Sequence, residues 1–297
     1  MRKLQRFRNT LQYELLLLPA LVIFAIFILY PAFNTIYSSF TNWNRMNIKN
    51  IQFVGIENYQ KLFSDKSVLI GVRNSFIYAI SATVLQSAGG LGLALILNRA
   101  FKTKNFLRAV WYFPAVLSTL VIGFLWNYML SSSDLGLINS IIQGFGFSKV
   151  NFLGNGNNAL MSIIFIAVWQ WMGWTMTIYL ANLQGIPEEL YESAAIDGAS
   201  KTRLFFGVTL PMLFPAISFS AITGMIQGLK MFDLVYALTK GGPNGRTETI
   251  ITLMIKKGFT EGFYSYACAI GAVFLVIVLC VTMFQMRYFN RWGENIS

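Results

Sequence analysis

IPEELYESAAIDGASKTRLFFGVTLP, residues Ile186 to Pro211, is a polar, acid-led segment set between two long apolar runs. Four of the chain's 12 acidic residues fall in its first dozen positions: Glu188, Glu189, Glu192 and Asp197. Pro187 suits a first helical turn, because it has no N–H to leave unpaired there. The acids that follow complement the positive end of the helix dipole. Tyr191, Ala194, Ala195 and Gly198 then fall on one side at helical spacing, a side nearly bare of bulk and open to close approach by another protein. Ser200 is placed to cap a second short helix, and Pro211 to close it. Shape alone describes an ordinary loop equally well, so the flanking sequence has to decide.

Those flanks belong to a chain of 297 residues that is 55% hydrophobic and 12% charged, with a mean hydropathy of +0.55. A soluble domain carries about twice that share of charge. Apolar runs of about 20 residues recur along the whole length, which predicts an all-α polytopic membrane protein. The net charge of +11 fits cytoplasmic loops facing anionic lipid. Nucleic acid is not an expected partner, because no basic-aromatic module accompanies the charge. There is no histidine, and Cys268 and Cys280 lie twelve positions apart in one apolar run, about 18 Å along a helix. A zinc site, His-based catalysis and a disulfide framework are therefore not expected. No GxxxxGK[ST] loop is present, so the chain is not expected to bind and hydrolyse ATP itself.

Working outward, the charge flanking each run predicts six transmembrane helices with both termini cytoplasmic. A basic start (Arg2, Lys3, Arg6, Arg8) precedes a first span from about Leu15 to Tyr37, too long for a signal-peptide core. A polar external segment follows, then a second span from about Val72 to Leu97. The loop NRAFKTKNFLR, with Arg99, Lys102, Lys104 and Arg108 and no acid, marks the cytoplasm. A third span from about Ala109 to Leu130 leads to a Gly/Asn-rich external loop, and a fourth from about Leu160 to Leu183 returns to the acid-led segment. A fifth span, about Met212 to Leu238, ends in the turn KGGPNGRTE. An amphipathic external stretch with Lys256 and Lys257 precedes the sixth span, about Tyr266 to Met286, whose cytoplasmic end Arg287 and Arg291 anchor. The expected divisions are 1–71 (arm, first span, external segment), 72–288 (transmembrane core, including 186–211) and 289–297 (tail).

On that topology Ile186–Pro211 is the one sizeable acidic-and-small patch facing the cytoplasm, and it resembles the EAA loop of membrane subunits of binding-protein-dependent ABC importers. The family pattern is Glu-Ala-Ala, three residues, Gly, nine residues, then Ile-x-Leu-Pro. Here Glu192-Ser193-Ala194 is followed by Gly198, nine residues, and Val208-Thr209-Leu210-Pro211, with Ser193 and Val208 as mild departures. FVGIENYQKLF, NSFIYAI and FDLVYALTKGGP extend the resemblance over nearly the whole chain, toward the maltose/glycerol-phosphate type of sugar permease and the first of its two paired subunits. The resemblance implies a type I ABC importer permease fold, with the EAA helix as the coupling helix. It implies ATPase contact at Glu192, Ala195, Asp197 and Gly198. It also implies a second related permease in a heterodimer, two copies of a cytoplasmic ATPase that bind the ATP and magnesium, and an extracellular binding protein. This chain would hold no cofactor or metal and would move a sugar, an oligosaccharide by preference, across the cytoplasmic membrane by alternating access. A secondary transporter driven by an ion gradient is the alternative; it calls for paired repeats and buried acids, and neither is visible.

Intramembrane polarity gives the expected substrate side. VWQWMGWTMTIY in the fourth span places Trp169, Gln170, Trp171, Gly173, Trp174 and Thr175 close together. Any single Trp there reads as interfacial belt; three within six residues, with an amide among them, suit the apolar faces and hydroxyl rims of a sugar. The resemblance points to Trp169, Met172, Gly173 and Met176 as cavity positions, and in the fifth span to Gln227, Gly228 and Met231. Ser118 and Thr119 in the third span are weaker candidates, since such hydroxyls often bond only their own helix. Lys230 and Asp233, three apart, read equally as an i,i+3 ion pair or as cavity charges.

Overall fold

In the computed structural model, residues 16–133 and 136–294 are described; the basic start at Arg2 to Arg8 and the last three residues of the tail lie outside them. Among the described residues the protein is all-helical, its one β feature an isolated bridge between Thr41 and Phe53. The helices in chain order are α1 Leu16–Ser38, α2 Glu57–Ser64, α3 Lys66–Leu97, α4 Lys104–Val116, α5 Thr119–Met129, α6 Leu137–Gly144 and α7 Gly156–Gln184. They continue as α8 Glu188–Ile196, α9 Lys201–Met212, α10 Phe214–Leu229, α11 Asp233–Thr239, α12 Ile250–Ile255 and α13 Tyr264–Glu294. Four of them (α1, α3, α7 and α13) are long and apolar enough to cross a membrane; the bent pairs α4/α5 and α9/α10 bring the number to six if each pair is one span.

The chain forms two units, described separately. One takes in residues 16–65 and 254–275, and the other 66–253 and 276–294. In the second, α7 is the central element, packed against α3, α4, α10 and α11. Its buried positions recur at helical spacing: Ile163, Ile166, Ala167, Gln170, Gly173, Met176, Tyr179, Leu180 and Leu183. Two apolar clusters result. Tyr78 and Ala82 of α3 join Ile163, Ile166 and Leu234 in one; Ala94 and Leu97 join Met176, Tyr179 and Leu213 in the other. In lipid there is little hydrophobic drive between helices, so small residues that let backbones approach do much of the work. Gly90 lies against Thr175, Gly228 against Ala79, and Gly224 against Thr83.

Two spans differ from the sequence reading. The third is not a single rod from Ala109 to Leu130: α4 and α5 meet at 96° across Leu117 and Ser118. Pro114 sits in the last turn of α4, where its ring and missing N–H weaken the helix. The opened backbone is met by Gln170, fully buried on α7, whose Nε2 donates to the Leu117 carbonyl (3.3 Å) and to Thr119 Oγ1 (3.1 Å). The fifth span likewise stops at Leu229, not Leu238. Phe232 leaves helical geometry (φ −131°, ψ −57°), and Asp233 begins α11, which packs on α5. An i,i+3 ion pair needs a continuous helix. Lys230 and Asp233 lie on either side of a break, and no ion pair joins them among the described residues. Pro211 stands one residue before the end of α9 at Met212, and the chain bends by 60° into α10.

Buried amides hold the connections of this unit. Asn74 on α3 donates to the carbonyls of Arg246 (2.8 Å) and Glu248 (3.0 Å), and Ser75 Oγ accepts from the Ile250 N–H (3.0 Å). Asn139, 1% exposed on α6, donates to Ser131 and Val150 and accepts from the Val150 N–H, closing the Gly/Asn-rich loop on itself.

Candidate functional site

Two features of the second unit can be built from their residues: the α8–α9 segment and a polar cleft between α3, α7 and α10. Pro187, at φ −58° and ψ 133°, caps α8 rather than entering it, with Glu188 and Glu189 in the first turn. The helix ends in a double hydrogen bond in which the Gly198 N–H donates to Ala195 O (3.0 Å) and the Ala199 N–H to Ala194 O (3.0 Å). That is the Schellman arrangement, which requires a left-handed residue at its turn. Gly198 supplies it at φ +75°. Ser200 then caps α9, its Oγ accepting from the Arg203 N–H at 3.3 Å.

This segment carries no buried residue on α8, yet it is seated. Half-buried Tyr191 packs with Ile186 against the cluster around Leu213, and its hydroxyl shares a hydrogen bond with Thr209 Oγ1 at 3.2 Å. The small-residue side inferred from sequence is therefore split. Tyr191 and Ala194 turn toward the body, while Glu192, Ser193, Ala195, Asp197 and Gly198 are exposed. No other atom comes within 4 Å of where a Gly198 Cβ would stand. The sequence reading missed Ile196, 86% exposed beside Ala195. A lone aliphatic residue inside an acid-led, solvent-facing turn was its signal.

The cleft is narrow, lined by Gln86 of α3, by Trp171, Trp174, Thr175 and Ile178 of α7, and by Ser220, Thr223, Gly224 and Gln227 of α10. Several of its polar groups lack protein partners. Ser220 Oγ is buried without a hydrogen bond, and exposed Gln227 makes none among the described residues. Gln86 uses its Nε2 on the Ala167 carbonyl (3.3 Å). Trp174 is 43% exposed. Such a set offers indole faces, amides and hydroxyls to a ligand.

Of the nine residues expected along a substrate cavity, Gln227 alone lines this cleft, joined by Trp171, Trp174 and Thr175 of the aromatic-polar stretch that the sequence also places on the substrate side. Gly173 is buried in a helix crossing, where a Cβ would lie 1.9 Å from the Trp111 carbonyl oxygen. Gly228 is held against the Ala79 Cα, and Met176, 1% exposed, is a core residue. Half-buried Met172 covers Gly89 on α3. Trp169 packs edge-on against Trp126 (centroids 5.6 Å apart), and Met231 lies against the same cluster. Thr119 is occupied by Gln170 and exposed Ser118 stands at the α4/α5 break. Ser220, Thr223 and Gly224, which recur with Gln227 at helical spacing along α10, were the legible signal for the cleft that sequence reasoning missed.

The sequence profile of the binding-protein-dependent transport system inner membrane component matches residues 86–292, which include the EAA segment and the cleft. The chain belongs to this family of inner-membrane permeases. The probable ABC transporter permease protein YurN of Bacillus subtilis (strain 168) is 35% identical over 293 residues, covering 97% of this chain and 99% of its own. The multiple sugar-binding transport system permease protein MsmF of Streptococcus mutans serotype c is 34% identical over 276 residues, covering 93% of this permease and 94% of itself. In fold, the permease matches a crystal structure of a bacterial ABC transporter involved in the import of the acidic polysaccharide alginate. The TM-score is 0.84, with 98% of this chain and 99% of that one covered at 22% identity.

Proposed function

We propose that this permease is a transport subunit of an ATP-driven sugar importer, with six spans and both termini in the cytoplasm. Sugar reaches it from an extracellular binding protein and passes between it and a second, related permease. Two copies of a cytoplasmic ATPase supply the drive. The observation that carries this reading is the α8–α9 segment. It is an exposed helix with acids along it, closed by a left-handed glycine, at the spacing of the EAA loop, in a family defined by binding-protein dependence. The sugar is supported by similarity to MsmF, a permease of a multiple sugar-binding transport system, and by the indole, amide and hydroxyl chemistry of the cleft.

In the mechanism, Tyr191 and its bond to Thr209 tie α8 to the foot of the α9/α10 pair, so a displacement of α8 is passed to the helix that carries Ser220, Thr223 and Gln227. Glu192, Ala195, Asp197, Gly198 and Ile196 form the ATPase contact. Free energy enters as the difference between that contact in the ATP-bound and ATP-free states of the motor. At about 20 Å³ the cleft is closed to a sugar ring in this structure; once it widens, Trp174, Gln86 and Gln227 hold the sugar, and Ser220 Oγ gains its missing partner from a sugar hydroxyl. The test is uptake into proteoliposomes that contain the permease with its partner subunits. Uptake is expected to require internal ATP and external binding protein. Uptake that persists on a proton or sodium gradient without ATP contradicts the proposal.

A further inference from the structure

A second cleft, of about 370 Å³, lies wholly within the first unit. It is within the size range of small-molecule sites, about 300–1,000 Å³. One wall is α2, with Glu57 and Lys61 one turn apart, and Asp65 just past its C-terminal end. The facing wall runs from Lys257 to Tyr266, and the loop from Asn42 to Asn44 closes the base. The base is rigid for a loop. The Arg45 N–H donates to Gly262 O (2.8 Å), the Ser265 N–H donates to Trp43 O (2.9 Å), and Thr41 and Ser265 share a hydroxyl bond at 2.7 Å. Trp43 stacks at a tilt on Tyr264, centroids 4.9 Å apart, which fixes the plane of its indole.

The polar groups define the ligand. Asn58, 7% exposed, spends both amide hydrogens on the carbonyls of Ser39 and Thr41 (2.8 Å each), so its Oδ1 remains an acceptor without a donor among the described residues. Asn42 is the converse: Oδ1 accepts from the Gln52 N–H (2.8 Å), and its Nδ2 donates to nothing among the described residues. The lining carries two carboxylates, Glu57 and Asp65, and two ammonium groups, Lys61 and Lys257. Lys257 is engaged by Glu261 at 2.8 Å, and Asp65 accepts from the Tyr266 hydroxyl at 2.9 Å. With Lys257 neutralised by Glu261, Glu57 and Asp65 against Lys61 leave one excess negative charge, which disfavours an anionic ligand. A fixed indole, a free amide donor and a buried acceptor suit a neutral polyhydroxyl ligand, which offers C–H faces to the ring and hydroxyls to the rim.

We propose that this cleft is a saccharide-binding site of its own, distinct from the α3/α7/α10 cleft. The proposal rests on the cleft's chemistry and needs no part of the transport reading. The test uses the full permease in lipid nanodiscs, without binding protein, titrated with maltotriose, raffinose and arabinotriose as probes. At least one is expected to bind, and to slow hydrogen exchange at 42–46 and 57–65. Asn42→Asp keeps an acceptor for Gln52 and replaces the amide donor with a carboxylate, adding one negative charge; it and Trp43→Phe are each expected to weaken binding about tenfold. Melting temperatures of both variants are checked against the wild type, and Tyr266→Phe serves as a third variant should either unfold. Binding by none of the probes, protection confined to 171–178 and 220–227, or wild-type affinity in the folded variants would overturn the site. ATP-driven uptake by the assembled transporter is measured in parallel. If it continues while no probe occupies the cleft, the saccharide site fails and the transport reading stands.

Discussion

Gly173 and Gly198 lie 25 positions apart in one chain, and they are glycine for opposite reasons. At Gly173 the backbone is ordinary helix, but α4 crosses so closely that a Cβ would sit 1.9 Å from the Trp111 carbonyl oxygen. At Gly198 there is open space, and the constraint is a φ of +75° that closes α8. The first region spends its small residues on packing inside the permease. The second keeps Ser193, Ala195 and Gly198 outward, and no other described atom comes within 4 Å of where a Gly198 Cβ would stand. A buried glycine between helices is a structural necessity; an open one at the tip of an exposed helix is available to another molecule.

That contrast can be broken by substitution, most severely at the crossing. Gly173→Leu is expected to cost more than the ~1–3 kcal/mol of ordinary overpacking, because the neighbour is backbone and cannot turn aside. The check is the melting temperature and monodisperse yield of purified permease; wild-type values would show that α4 is not fixed against α7. Gly198→Ala is expected to cost about 1–2 kcal/mol from the left-handed backbone alone, with Gly198→Asn nearer to wild type. If both variants melt as the wild type does, the Schellman turn is not holding α8. Ser200→Ala should cost about 1 kcal/mol and show as faster hydrogen exchange confined to the first turn of α9. The smallest effect is expected for Tyr191→Phe, which loses one half-exposed hydroxyl bond, about 0.5–1.5 kcal/mol. Its informative readout is uptake, which should fall further than stability does if Tyr191 transmits motion from α8.

Much of this arrangement was legible before any coordinates. Runs of about 20 apolar residues name membrane helices because a helix must satisfy its own backbone in lipid, and α3, α7 and α13 lie where the runs predicted. The EAA segment was legible from the local preferences of Pro187 and Ser200 and from the spacing of Glu192, Gly198 and Pro211; the left-handed backbone at Gly198 was not read from sequence. What failed was tertiary. Hydropathy is blind to direction, so the 96° break between α4 and α5 went unread although Pro114 stood beside it. Gln170 looked like a cavity amide, yet its role is to satisfy the backbone at that break. Gly173, Met176 and Gly228 show why a residue's place in a family pattern does not say which way it faces. Small and flexible side chains serve helix crossings and cavities equally well, and only the neighbours distinguish them. Gln227 was legible as a cavity residue, and Ser220 and Thr223 complete its stripe along α10; Lys230 and Asp233, just beyond it, read equally as an ion pair or as cavity charges, and the break at Phe232 removes the first of these.

The account's central claim is that the open glycine turn is where an outside motor engages the permease. Its most direct test is Gly198→Arg in the assembled transporter, with Gly198→Asn as the control for backbone strain. The account predicts that both variants insert at wild-type membrane levels, that Gly198→Asn retains uptake, and that Gly198→Arg abolishes ATP-driven uptake by filling the space against which the ATPase docks. Wild-type uptake by Gly198→Arg at normal membrane levels would contradict it.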